Sequence, residues 1–208
     1  MSSELLAGLN EAQRQAVLHR GSPLLILAGA GSGKTRVITV KIAHLIREAG
    51  FDPRSILAVT FTNKAAGEMR ERAANLEPAA SEVMIRTFHS FGAWLLRRNA
   101  VAAGLSSNFT IYDDDDVLAL LSSLYPQQNR QLLGHYARQI SRAKDFDLQP
   151  HDDLRPVMEK PDLPEVYERY AKRMAEIGNC DFGDLILKTL TLMRDNPEIN
   201  SRIQSSYR

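Results

Sequence analysis

This chain of 208 residues predicts an α/β fold: a parallel sheet with helices, joined to an all-helical subdomain. Three observations carry that expectation. Three short apolar runs, Leu24 to Leu27, Ile56 to Thr60 and Val83 to Thr87, are each followed by a helix-like segment, the rhythm of a parallel sheet. The first run enters its helix through a glycine-rich loop, Ala28 to Thr35. After about Gly104 the β-branched runs thin out and apolar residues recur at helical spacing.

The loop Ala28-Gly29-Ala30-Gly31-Ser32-Gly33-Lys34-Thr35 fits GxxxxGK[ST] except that Ala28 stands at the first glycine. Its glycines let the backbone turn tightly and aim N–H groups inward, where no Cβ blocks a pyrophosphate. Lys34 supplies a point charge for β- and γ-phosphates, and the Thr35 hydroxyl is suited to Mg²⁺. The helix that follows offers its positive dipole end to the same anion. A nucleoside triphosphate with Mg²⁺ is the ligand this loop predicts.

That first helix runs from Lys34 to near Gly50, a natural C′ residue, with Pro53 beyond. The second strand ends in Thr60-Phe61-Thr62-Asn63-Lys64-Ala65-Ala66, and a helix starts after Asn63. The third ends in Thr87-Phe88-His89-Ser90-Phe91-Gly92, before a helix carrying Trp94, Leu95 and Leu96. Each strand thus delivers its carboxyl end to a distinctive loop, the edge where open α/β sheets bind ligands. Hydroxyls and amides bond phosphates and sugars, Lys64 neutralises a phosphate, and an exposed Phe stacks on a base. The recurrence of this chemistry after two strands points to single-stranded nucleic acid.

In the second half, Asp113 to Asp116 precede Val117, Leu118, Leu121 and Leu124, so the acidic cluster reads as a helix start. Leu132, Leu133, Tyr136 and Ile140 mark a further helix, and Val166, Tyr167, Tyr170, Met174 and Ile177 another. Pro150, Pro156, Pro161 and Pro164 punctuate the connection between them. Apolar density rises again from Asp181, and Asn196-Pro197 reads as N-cap and first turn of a last helix.

Composition narrows the function classes. With 44% hydrophobic and 25% charged residues the chain is ordinary globular protein, and a net charge of +1 demands that any polyanion site be local. Such a surplus exists between Lys34 and Arg72, where eight Lys/Arg face four Asp/Glu. Cys180, the sole cysteine, excludes an intrachain disulfide and reads as a small buried apolar residue. Histidines 19, 44, 89, 135 and 151 lack metal-ligand spacing, so no structural zinc is expected. No apolar run approaches a membrane span, and the expected location is cytoplasmic.

Taken together these motifs resemble the N-terminal part of superfamily 1 DNA helicases of the UvrD/Rep/PcrA type. Leu9 to Val17 is similar to that family's adenine-reading Q motif, Ala28 to Arg36 to motif I, and Thr60 to Ala66 to motif Ia. Thr87 to Gly92 is similar to the next DNA-contacting motif, and Ile111-Tyr112-Asp113 and Asp181 to Ile186 to further landmarks. The resemblance implies that Gln13 reads adenine, that Arg36 lies near the adenine or its phosphates, and that Lys34 and Thr35 serve catalysis. It implies that Thr60, Phe61, Thr62, Asn63, Lys64, Thr87, Phe88 and His89 meet single-stranded DNA or a single/double-strand junction. It further implies a RecA-like P-loop domain over residues 1–92, a helical insert over 93–179 and a return to the RecA-like domain over 180–208.

Gly183 departs from the family, which more often has an acidic residue there. Hydrolysis also needs an acid for Mg²⁺, a water-orienting group and an arginine, and no convincing source of the first two is present. The expectation is a chain ending before its own Walker B segment and lacking the second motor domain, one that binds nucleotide yet hydrolyses little. The parent is expected to be an ATP-dependent 3′ to 5′ helicase and translocase. A nuclease-coupled recombination motor, a non-motor P-loop phosphotransferase and a DNA-binding module remain as alternatives.

Overall fold

Two parallel strands, β1 (Leu57–Thr60) and β2 (Met84–Thr87), pair in a register that sets Thr60 opposite Thr87. The computed structural model that contains them describes residues 4–207. The chain divides into two compact units, one running to Phe88 and resumed from Ser201, the other His89–Asn200.

The first unit opens with a 3-10 turn, Glu4–Leu6, and α1 (Glu11–Leu18). Asn10 caps α1 by accepting from the Gln13 amide, while Gln13 accepts from the Asn10 amide, a reciprocal pairing that satisfies two orphan donors. α2 (Lys34–Arg47) is buried on two sides. Val37, Val40 and Ala43 pack with Val17 and Leu9, and Ile42 packs with Ile56, Met69, Ala73 and Ile85. α3 (Asn63–Leu76) starts where the Thr62 hydroxyl accepts from the Ala65 amide. Its buried face, Ala66, Met69 and Ala73, recurs at three- and four-residue spacing against the sheet. Tyr207, back in this unit, donates to Met84 Sδ at 3.2 Å.

α4 (Phe88–Arg98) begins at the boundary, and the second unit follows with a short parallel pair, β3 (Ile111–Tyr112) and β4 (Cys180–Asp181). Around it stand α5 (Asp114–Leu124), α6 (Arg130–Asp145), α7 (Leu163–Ile177) and α8 (Phe182–Asp195). A core shared by α5, α6 and α7 includes Leu121, Leu133, Tyr136, Ile140, Tyr167 and Met174. Asp113 caps α5 in a reciprocal pairing with Asp116, so the acidic run is a helix start as its position predicts. α9 (Pro197–Ser206) begins at the expected proline. Cys180 is buried, and burial pushes its thiol up to about 12, which keeps it a neutral packing residue.

Three features differ from the sequence reading. α2 is capped at Glu48, two residues before Gly50, which takes its positive φ beyond the cap. The β3–β4 pair was not foreseen, because two residues are too few to show a period. Leu24 to Leu27 is not a strand. A strand exists by virtue of its ladder, and β1 and β2 are paired with each other while no described strand lies beside this run. Its side chains are left in water, Leu25 at 82% and Leu27 at 88% exposure. Among the described residues no helix is long and apolar enough to cross a membrane.

Candidate nucleotide and nucleic-acid site

The loop between Leu27 and α2 is built around two left-handed glycines, Gly31 at φ 74° and Gly33 at φ 86°, the latter serving as N-cap of α2. Residues with a Cβ pay roughly 1 to 2 kcal/mol in that region, so glycine is what lets the chain fold back on itself here. Lys34 Nζ donates to the carbonyls of Gly29 (2.6 Å) and Ala28 (3.0 Å), and the Ser32 hydroxyl donates to Gly29 O at 2.8 Å. The ammonium therefore sits inside the loop that supplies it. An anion entering this loop meets a cation already in place, at the N-terminus of a 14-residue helix. A cavity of about 360 Å³ adjoins it, lined in part by Gln13, Ile26, Ala28, Gly29, Ser32 and Lys34. Cation, small-residue loop and open space fit a phosphate chain. Thr35 is half-buried in the first turn of α2, and among the described residues no group of three His, Cys, Asp or Glu could hold a metal ion.

Gln13 reaches the loop as well, its Nε2 donating to Ser32 O at 3.0 Å. With Oε1 accepting from Asn10, its carboxamide is held at both ends and keeps a further N–H and a further lone pair. Arg36 is placed otherwise. It donates to Ala7 O at 3.3 Å and lines a second cavity of about 640 Å³ with Arg47 and Arg72, not the one beside Lys34.

The parallel register brings the two predicted nucleic-acid segments together. Beyond Thr60 and Thr87, the rings of Phe61 and Phe88 lie 5.6 Å apart and tilted, with Phe61 86% exposed and Phe88 also open to solvent. A ring so exposed packs no core. Asn63 and Lys64 are exposed in the first turn of α3, and Thr62 is exposed with its oxygen engaged as the α3 cap. Thr87 is only 6% exposed, because the side chain at that strand position turns into the protein. His89 is exposed, and its ring lies 5.7 Å from that of Phe182, which is 57% exposed. Phe182 escaped the sequence reading, since a Phe amid Leu and Ile reads as core; only its place between the N-cap Asp181 and Gly183 hints at an outward turn.

Comparison with known proteins completes the description of the site. The UvrD/REP helicase N-terminal domain family matches residues 9–208. The chain is 41% identical over 218 residues to the ATP-dependent DNA helicase UvrD1 of Mycobacterium tuberculosis, covering all of this chain and 28% of that protein. It is 38% identical to the ATP-dependent DNA helicase PcrA of Bacillus subtilis, covering all of this chain and 29% of PcrA. With the ATP-dependent DNA helicase Rep of Escherichia coli it shares 41% identity over 96% of this chain and 31% of Rep. The chain thus spans about 30% of the length of the curated relatives it matches.

Proposed function

The chain belongs to the UvrD/REP helicase N-terminal domain family, and from that premise we propose that it is the nucleotide-binding and DNA-gripping part of an ATP-dependent DNA helicase and 3′ to 5′ single-strand translocase. The observation that carries this reading is one compact unit holding both the Lys34 loop and the paired exposed rings of Phe61 and Phe88. A metabolite phosphotransferase has no use for those rings, and a plain DNA-binding module has none for a lysine inside a glycine loop.

In this reading the loop amides and Lys34 hold the triphosphate, Thr35 ligates the Mg²⁺ that neutralises it, and the free N–H of Gln13 contacts adenine. Arg36 turns from Ala7 toward the nucleotide when it binds. Phe61, Phe88, His89 and Phe182 stack on bases, while Thr60, Thr62, Asn63 and Lys64 hold the strand's phosphates and sugars. Thr87 contributes through the sheet register rather than by contact. The bound ATP supplies the free energy that closes two motor domains, and its hydrolysis needs acidic and arginine groups beyond those named here. Residues 1–208 alone would therefore bind nucleotide and hydrolyse it little. The first unit is read as a RecA-like domain whose sheet gains strands on both sides of Leu24 to Leu27, the helical unit as an insert in it, and the protein as cytoplasmic.

Duplex unwinding by the complete gene product tests this. Substrates with a 3′ single-stranded tail should be opened in an ATP- and Mg²⁺-dependent manner, and 5′-tailed ones should not. Unwinding from 5′ tails only would reverse the polarity, and DNA-independent transfer of phosphate to a metabolite would replace the reading.

A further inference from the structure

A buried ionic cluster lies under the first turn of α8. Lys144, in the last turn of α6, has a side chain only 4% exposed, and its Nζ stands 2.5 Å from Asp181 Oδ2 and 2.8 Å from Asp184 Oδ1. The Tyr170 hydroxyl, from α7, donates to the same Asp181 Oδ2 at 2.7 Å. The remaining oxygens are taken by backbone: Asp181 Oδ1 accepts from the Asp184 amide at 2.9 Å, and Asp184 Oδ2 from the Asp181 amide at 3.2 Å. All four carboxylate oxygens thus have a donor. A buried set like this is often no more stable than an apolar replacement, so its use is better sought in what it orients.

What it orients is one turn of chain. Asp181 is both the N-cap of α8 and the partner of Tyr112 in the short sheet, and Asp184 is three residues on. Two helices, α6 through Lys144 and α7 through Tyr170, are thereby tied to the residues on either side of Phe182, whose ring lies beside that of His89. Gly183 permits the close approach: a Cβ there would lie 2.9 Å from Lys144 Cδ and 3.2 Å from Lys144 Cβ.

We propose that Lys144, seconded by Tyr170, is a positioning residue that fixes the first turn of α8 so that Phe182 and His89 form a two-ring stacking platform for a nucleobase. The inference rests on the reading of that ring pair as a DNA contact. Lys144 itself touches no DNA; it acts through Phe182.

A double-mutant cycle on the complete gene product tests it. The readouts are anisotropy of a labelled single-stranded oligonucleotide and the quenching of 2-aminopurine placed in it, which reports stacking. Phe182→Ala should weaken binding about tenfold, a typical loss for one stacking ring, and reduce the quenching. Lys144→Met should do the same alone and nothing further once Phe182 is Ala, whereas its loss should add fully to that of Phe61→Ala. Should Lys144→Met fail to fold, Tyr170→Phe keeps the ring and loses only the hydroxyl; about threefold weaker binding, again absent in the Phe182→Ala background, is expected. Losses that persist undiminished in the Phe182→Ala background, or folded variants with undiminished binding and quenching, overturn the positioning role alone. Unchanged binding by Phe182→Ala itself overturns the contact reading and the positioning role with it.

Discussion

Phe61 illustrates why single residues here divide cleanly between stability and function. Its ring is 86% exposed, so Phe61→Ala should change folding stability by less than about 0.5 kcal/mol, yet weaken single-stranded DNA binding by about 1 to 3 kcal/mol. Melting temperature and oligonucleotide affinity measured on the same variant check both halves. Gly33 is the opposite case. An alanine there needs a φ near 86° and brings its Cβ to 3.0 Å from Gln13 Nε2. Gly33→Ala should therefore cost about 1 to 2 kcal/mol of stability and also loosen Gln13 from Ser32; thermal melting and nucleotide affinity should fall together. The identities of the loop residues were readable from the sequence because glycine-lysine chemistry is local. The burial of Thr87 and the outward turn of Phe182 were not, since both depend on which way a strand or helix start faces the rest of the protein.

Among the elements, α2, α3, α5 and the β1–β2 pair were legible because their signals lie within a few residues: a cap, a helical period, a branched run. The junction of α6, α7 and α8 was not. Lys144 lies 37 residues from Asp181 in sequence, and nothing local in Ala-Lys-Asp distinguishes it from a surface lysine. Its electrostatics give a pH prediction. Burial works to lower the Lys144 ammonium, but the charges of Asp184 and Asp181 and their hydrogen bonds outweigh it and hold it above the ordinary lysine range. Burial likewise works to raise the Asp181 carboxyl, and the Lys144 charge, with hydrogen bonds from Lys144 and Tyr170, holds it below the usual carboxylate range. A depressed carboxyl stabilises above its unfolded value of about 3.9 and loses that contribution as pH falls through its folded one. A raised ammonium stabilises below about 10.4 and loses its share as pH rises through the folded value. Unfolding of the helical unit, followed by denaturant titration across pH, should show a contribution that is level from about pH 5 to 9 and declines on both sides. A contribution that grows as pH drops from 5 to 3 would contradict the paired state.

For the whole molecule, the run Leu24 to Leu27 is the informative departure. The sequence makes it a strand by its branched and apolar character, yet pairing comes from neighbours that the run itself cannot specify. If the sheet gains strands on both sides of it in the longer protein, the consequence is measurable. Leu25→Gln with Leu27→Gln should leave the melting temperature of residues 1–208 unchanged, since both side chains are in water there. In the complete gene product the same pair should cost about 2 to 5 kcal/mol or abolish folding of the motor domain. Equal tolerance in both forms would mean that the run is a surface loop in either context.

The central claim is that backbone amides around Gly31 and Gly33, with Lys34, hold a triphosphate. Calorimetric titration of a non-hydrolysable ATP analogue with Mg²⁺ into the complete gene product measures it most directly. The account predicts one nucleotide per chain, displaced by ADP, with affinity reduced about 10- to 100-fold by Lys34→Ala through loss of its charge-assisted bonds. A folded sample that gives no binding heat, or a Lys34→Ala variant that binds as tightly as the wild type, would contradict it.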